Sequence, residues 1–341
     1  MAALWNHPDF QFVFWALLKI VVILGAMLGV VSYLIFAERK IAGHIQVRTG
    51  PNRVGPFGLL QPVADILKLF FKEEFIPAGA NKVIFHLAPM FAVVPALVSF
   101  SVIPVGPSFV VTDLNVGLLL FLAMSSLGVY SITLGGWSSN NKYALLGGLR
   151  SSAQMISYEL AMGLSTVGVL LLAGSLSLVD IVHAQASAIH LGPLRLPGWF
   201  VFSQPLAFAV FMVTAFAETN RAPFDLPEAE AELVAGFHTE YSSMKWGLFF
   251  LGEFANVITI CSIAVTLFLG GWNGPWLPES LKFIWFFAKL AVLVFFFIWV
   301  RWTYPRLRYD QLMSFGWKVL LPVALLNVLV TGAAAYWVGA P

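Results

Sequence analysis

Eight apolar runs recur along the chain, at 12–37, 84–105, 115–137, 152–174, 200–219, 244–270, 281–303 and 316–338. Each is close to the roughly 20 residues a helix needs to cross the hydrocarbon of a bilayer, so each predicts a membrane-spanning helix. The runs at 115–137 and 281–303 are the cleanest. That at 84–105 holds Pro89, Pro95 and Pro104 and predicts a kink. That at 152–174 carries Glu159.

Three polar segments interrupt the pattern: 38–83, 218–243 and 301–318. The first opens with turn-forming residues (Gly50, Pro51, Gly55, Pro56, Gly58). Residues 57–72 then read as a helix whose polar positions, Gln61, Asp65, Lys68 and Lys72, share one face. Too short to span and partly charged, it is expected to lie at the membrane interface. In the second segment, Asp225 followed by Glu228 resembles a capping box with Pro227 in the first turn. The helix it would open places Glu228, Glu232 and Glu240 on one face. The third segment, "RWTYPRLRYDQLMSFGWK", sets Arg301, Arg306 and Arg308 beside Asp310. Anchoring by positive charge and interfacial aromatics is a sufficient structural reason for it.

Composition agrees with the pattern. Of 341 residues 59% are hydrophobic and 11% charged, against about 25% charged in a soluble domain. The expected fold is an all-α polytopic integral membrane protein, a single membrane domain over 1–341 with about eight transmembrane helices. The first apolar run has no short basic region before it and no cleavage site after it, so it is expected to be a retained helix. A lone cysteine, Cys261, excludes a disulfide framework.

Charge sets the direction. With the N-terminus outside, fifteen Lys and Arg fall on inner segments and only Arg195 and Lys282 on outer ones, a strong positive-inside bias. Both termini are then expected outside. Lys19 and Lys289 fall within spans, where snorkelling and a functional role weigh about equally.

The acids carry the chemistry. Six of the seventeen carboxylates (Glu218, Asp225, Glu228, Glu230, Glu232 and Glu240) lie in the second polar segment. Glu218 ends an apolar run, and Glu159 and Glu253 lie inside two others. Acids in membrane spans cost about 2.5–3.5 kcal/mol on insertion scales and usually line a wet cavity or a proton route. The bland alternative is that each is paired with Arg or Lys for packing. No dinucleotide fingerprint, phosphate loop, metal-ligand spacing or Ser/His/Asp arrangement is legible, so any redox centre would belong to another subunit.

Five stretches, in order, carry a resemblance: "AERK" (37–40), "RTGPNRVGPFGLLQPVADILKLFFKE" (48–73), "NNKYALLGGLRSSAQMISYELAMG" (140–163), "ETNRAPFDLPEAEAELVAGFHTEYSSMKWGLFFLGE" (218–253) and the 301–318 segment. With these the chain resembles the H-subunit family of proton-pumping NADH–quinone oxidoreductase, respiratory complex I, called subunit 1 in mitochondria. The resemblance implies a multi-pass subunit of the cell inner membrane (of the mitochondrial inner membrane if organellar). It would join the membrane arm to the peripheral arm and form much of the quinone tunnel. Quinone is then a substrate, no cofactor is bound covalently, and FMN and iron–sulfur clusters reside in partner subunits. Partners are the peripheral iron–sulfur and quinone-site subunits, neighbouring membrane subunits and the lipid bilayer; nucleic acid is not among them. By motif, Arg39, Arg48 and Asp65 match charged positions near the tunnel, and Phe249 and Phe250 the apolar stretch near its entrance. Glu218, Glu228, Glu230 and Glu253, with Glu159 further along, match the start of a proton path. Arg301, Arg306, Arg308 and Asp310 are expected at a subunit contact. Two alternatives stay open: the homologous membrane subunit of a proton-pumping hydrogenase, and a stand-alone proton/cation antiporter.

Overall fold

A computed structural model describes residues 8–107, 109–191, 194–225 and 234–338. The chain divides into two units, Met1–Lys68 and Leu69–Pro341.

The first unit begins with helix α1 (Pro8–Ile45), which runs eight residues beyond the apolar stretch and through the "ERK" charges. Hydropathy marks where lipid ends, not where helix ends, and nothing in 38–45 breaks a helix. Arg48 N–H then bonds Gly43 O at 2.8 Å and folds the chain back. Gly43 is needed there: a Cβ would lie 2.9 Å from Gly50 N. Gly58 has a φ of +83°, and its Cβ would meet Pro51 O at 2.3 Å, so the Gly/Pro run closes a tight loop as expected. Helix α2 (Gln61–Phe71) follows. Two members of the expected polar stripe are in contact: Gln61 Nε2 donates to Asp65 Oδ1 at 2.9 Å. Lys72 lies one residue past the helix.

The second unit holds helices α3 (Lys82–Phe100), α4 (Gly117–Ser138), α5 (Lys142–Ala173), α6 (Leu178–Ala184), α7 (Phe200–Ser203), α8 (Pro205–Glu218), α9 (Ser243–Phe268), α10 (Phe283–Thr303), α11 (Tyr309–Phe315) and α12 (Leu321–Val338). A five-residue π segment, Gly316–Leu320, joins the last two. The helical expectation holds for the membrane body; the addition is a hairpin of β1 (Ala188–Leu191) and β2 (Leu194–Pro197), paired antiparallel. Seven helices among the described residues are long and apolar enough to cross a membrane. The protein is thus a polytopic helical membrane protein.

The predicted run 200–219 differs from the other seven. Gln204 has non-helical backbone angles and Pro205 follows it, so the run splits into α7 and the 14-residue α8, about 21 Å at 1.5 Å per residue. The run at 84–105, for which a kink is expected, is a helix that continues through Pro89 and Pro95 and stops at Phe100, before Pro104. Helix α5 starts ten residues earlier than its apolar run, because the Asn141 side chain caps it by accepting from Tyr143 N–H at 2.9 Å.

Helix α9 is the central element: 72% of its most apolar stretch is buried, against 22% for the stretch ending at Trp337. Small residues permit this depth. A Cβ on Gly252 would lie 2.8 Å from Ala92 O of α3, and one on Gly136 of α4 would lie 2.4 Å from Ala144 O of α5. Lys289 does not snorkel; it is buried and bonded within the protein. From α10 its amine donates to Leu269 O (2.6 Å), Gly271 O (2.9 Å) and Asn273 O (2.6 Å), and it sits 4.3 Å above the Trp199 ring. It satisfies carbonyls of the turn that follows α9, between Leu269 and Asn273.

Candidate functional site

The end of α8 builds the site. Thr219 caps the helix, and Asn220 takes a left-handed φ of 52°. Asn220 N–H bonds Ala217 O at 3.3 Å, and Arg221 N–H bonds Phe216 O at 3.2 Å. These two bonds form a Schellman stop, with Asn in the position glycine usually takes. Gln154 of α5 pins the turn by donating to Ala217 O at 3.0 Å and Phe224 O at 2.8 Å. The stop fixes Glu218 as the last helical residue and turns Arg221 away from it.

Glu218 is buried, with 3% of its surface exposed. Its Oε1 accepts from Ser125 Oγ of α4 at 2.5 Å. Its Oε2 is buried with no hydrogen-bond partner among the described residues. The next residue of α4, Ser126, donates through Oγ to Glu159 Oε1 of α5. Adjacent serines on one helix therefore hold two carboxylates from two others, close enough for the charges to interact.

Glu253 on α9 is held differently. Arg221 Nε lies 2.7 Å from its Oε1, and the guanidinium carbon sits 4.1 Å above the Phe254 ring. For Glu253 the pairing expected of a packing acid is therefore present. Asp225 likewise receives Arg306 Nη2 at 2.6 Å.

A cavity of about 50 Å³ lies between Glu218 and Glu253. Glu218, Asn220, Glu253 and Ser131 line it, with Phe249 and Phe250 forming part of the apolar wall. Phe249 packs edge-to-face on Phe237 (5.2 Å) and Tyr241 (4.8 Å), while Phe250 stacks on Trp246 at 5.0 Å. Tyr241 also stacks on Phe85 at 4.0 Å, and burial pushes its phenol up to about 12, so it stays neutral at working pH. At roughly 10–15 Å³ of such space per water, the cavity has room for a few waters.

The other candidates fall elsewhere. Glu228 and Glu230, with Glu232 and the helix expected to open at Asp225, lie outside the described residues. Glu240 is not on a helix face: it follows the 3-10 turn Gly236–His238, and its Oε1 accepts from Asn141 Nδ2 at 2.6 Å. In the first unit Arg39 Nη1 lies 2.6 Å from Asp65 Oδ2, and Arg48 Nε donates to Gln46 Oε1 at 2.7 Å. Arg308 pairs with Asp310 at 2.6 Å on the surface, and Arg301 stacks beside Trp302 at 5.8 Å. Among the described residues no three His, Cys, Asp or Glu side chains group as a metal site. Ser125 and Ser126 are functional candidates that sequence reasoning misses. Serines in membrane helices are common and usually bond their own backbone, so nothing in the sequence separates these two.

Fold and site together define a class: a polytopic membrane protein with interacting carboxylates beside a small, largely apolar cavity between its helices. Similarity to known proteins narrows the class. The family model described as NADH dehydrogenase matches residues 18–332. The H 1 subunit of NADH-quinone oxidoreductase from Geobacter metallireducens is 58% identical over 325 residues, covering 93% of this chain and 95% of the relative. The H 2 subunit from Geobacter sulfurreducens is 57% identical, with 92% and 94% covered. The H subunit from Magnetococcus marinus is 53% identical, with 94% and 92% covered. The chain belongs to the H-subunit family of NADH-quinone oxidoreductase, and so is a subunit of an enzyme complex.

Proposed function

We propose that this chain forms part of the quinone tunnel of a proton-translocating NADH–quinone oxidoreductase and the first stage of its proton-coupling path. The carrying observation is the cavity that joins Glu218 to Glu253, with Glu159 held next to Glu218 by adjoining serines. In this reading a negative charge developing on quinone perturbs nearby carboxylates, and waters in the cavity pass the resulting proton onward. Moving one charge against ~150 mV requires about 3.5 kcal/mol, on the order of a change of two to three pKa units at 1.36 kcal/mol each. Electrostatic coupling between buried groups reaches that scale.

The remaining assignments belong to the same proposal. Phe249 and Phe250 line the apolar approach for the quinone, and Arg39, Arg48 and Asp65 lie near the tunnel. Glu228 and Glu230 extend the acidic path. Arg301, Arg308 and Asp310 meet partner subunits, which carry the FMN and iron–sulfur clusters; Arg306, expected at the same contact, pairs with Asp225 at the edge of that segment. The chain crosses the bacterial inner membrane eight times, with α7 and α8 together making the fifth crossing and both termini outside.

Glu218→Gln tests the reading because Gln can still accept from Ser125 yet cannot take up or release a proton. In the assembled complex in proteoliposomes, Glu218→Gln and Glu159→Gln are each expected to lower proton pumping and coupled quinone reduction without loss of assembly. Unchanged pumping in both variants overturns the proposal.

A further inference from the structure

A second space in the same unit is unrelated to the acidic cavity. An apolar groove of about 1040 Å³ lies between α8 and α10 and is bounded by residues 304–315. Its walls include Met212 and Phe216 from α8, Val292 and Phe296 from α10, and Leu307 and Phe315 beyond them. Met212, Phe216 and Leu293 are buried in its floor, while Val292 is 66% exposed at its rim.

The depth of the groove bears on what fills it. Its lining residues farthest from the ends of these helices are Phe208, ten residues before the end of α8, and Val292, eleven before the end of α10. At 1.5 Å per residue these spans are about 15 and 17 Å, and half of a ~30 Å hydrocarbon core is about 15 Å. With the ends of α8 and α10 at one membrane face, as the positive-inside bias of the sequence implies, the groove spans about one leaflet. A partner's membrane helix needs a complementary face along its whole crossing. Lipid tails need one leaflet.

The segment that bounds the open end is basic. Residues 301–318 carry Arg301, Arg306, Arg308 and Lys318 against one acid, Asp310, which pairs with Arg308. Arg306 stands between two residues of the groove's mouth, Pro305 and Leu307, and Leu307 N–H bonds Pro223 O across that mouth at 3.1 Å. Arg306 donates Nη2 to Asp225, and its side chain remains 45% exposed. A guanidinium has five N–H donors in a planar fork suited to phosphate oxygens. Trp302 and Tyr304, both exposed, supply the aromatic pair typical of the headgroup level.

We propose that this groove seats an anionic phospholipid, with its tails against α8 and α10 and its phosphate on Arg306. The lipid is a structural ligand, independent of the quinone reading.

The test uses the assembled complex in phosphatidylcholine nanodiscs doped with a trace of lipid carrying a diazirine midway along one tail. The headgroup is either phosphatidylglycerol or phosphatidylcholine. After illumination, labelled residues are mapped by mass spectrometry. The phosphatidylglycerol probe should label Met212, Phe216, Val292 and Phe296 several-fold more than the phosphatidylcholine probe. Val292→Trp, at an exposed rim position, should abolish that labelling. Arg306→Gln should erase the headgroup preference and Arg306→Lys should keep most of it. Equal labelling by both probes overturns the proposal, as does labelling that survives Val292→Trp. So does a photoreactive isoprenoid quinone that labels the same residues without competition from phosphatidylglycerol. Crosslinking of a partner subunit to a photoreactive residue at position 292 also overturns it. If Arg306→Gln fails to assemble, the probe comparison and Val292→Trp decide alone.

Discussion

Glu218 and Glu253 line one cavity yet are held in opposite ways. Glu218 accepts from a serine hydroxyl, as its neighbour Glu159 does, whereas Glu253 is matched by a buried arginine 2.7 Å away. A hydroxyl can keep its hydrogen bond whether the carboxyl is charged or neutral, because it can either donate or accept. An arginine cannot: neutralising its partner leaves a buried cation without compensation. In the proposed reading the cavity therefore has a side that can change protonation and a side fixed in charge, with the Glu253–Arg221 pair as a permanent dipole against which Glu218 and Glu159 respond.

This contrast predicts different failures. Arg221→Met should have the largest effect, because breaking a buried ion pair typically costs about 3–5 kcal/mol. The yield of assembled complex and its thermal midpoint should both fall, and adding Glu253→Gln should recover part of the loss. A single variant as stable as the parent would put Glu253 in the responsive class. Lys289→Met comes next, since it strips donors from three carbonyls at about 1–3 kcal/mol for a group left unsatisfied. It should lower the thermal midpoint and leave the ratio of protons to electrons unchanged, because Lys289 holds the turn after α9 and does not line the cavity.

Glu218→Gln should preserve assembly and cut coupled turnover about tenfold, equivalent to ~1.4 kcal/mol at the barrier. A matching loss of stability would mean that the acid is only a packing group. The smallest effects belong to Ser125→Ala and Ser126→Ala, each removing one hydrogen bond worth about 1 kcal/mol. Each should slow pumping up to about fivefold, and the double variant should exceed the sum of the singles if the two carboxylates act together. Strict additivity in pumping assays would separate them.

Much of this arrangement is legible in the sequence, and the exceptions have definite causes. Glu159, Glu218 and Glu253 stand out because an acid in an apolar run is rare and expensive, whatever its partner. The stripe on α2 is visible because its spacing is local and periodic. Pairings are less accessible: Arg221 and Glu253 are 32 positions apart, and only the Schellman turn at Asn220 aims the arginine at α9. The early start of α5 is hidden because hydropathy ignores the Asn141 cap. The division of the fifth apolar run depends on Gln204 and Pro205 acting as a break, within a composition that continues unchanged across them. A spacing rule puts Glu240 on a helix face, but the segment around it is a turn, where that spacing has no meaning.

Redox-induced infrared difference spectroscopy tests the central claim most directly, because it observes carboxyl protonation itself. On reduction of the assembled complex by NADH in the presence of quinone, the parent should show a carboxylic-acid carbonyl band that changes intensity. That band should be missing in Glu218→Gln and displaced in Glu159→Gln. Difference spectra identical in the parent and both variants would mean that neither acid responds to quinone reduction, and would contradict the account.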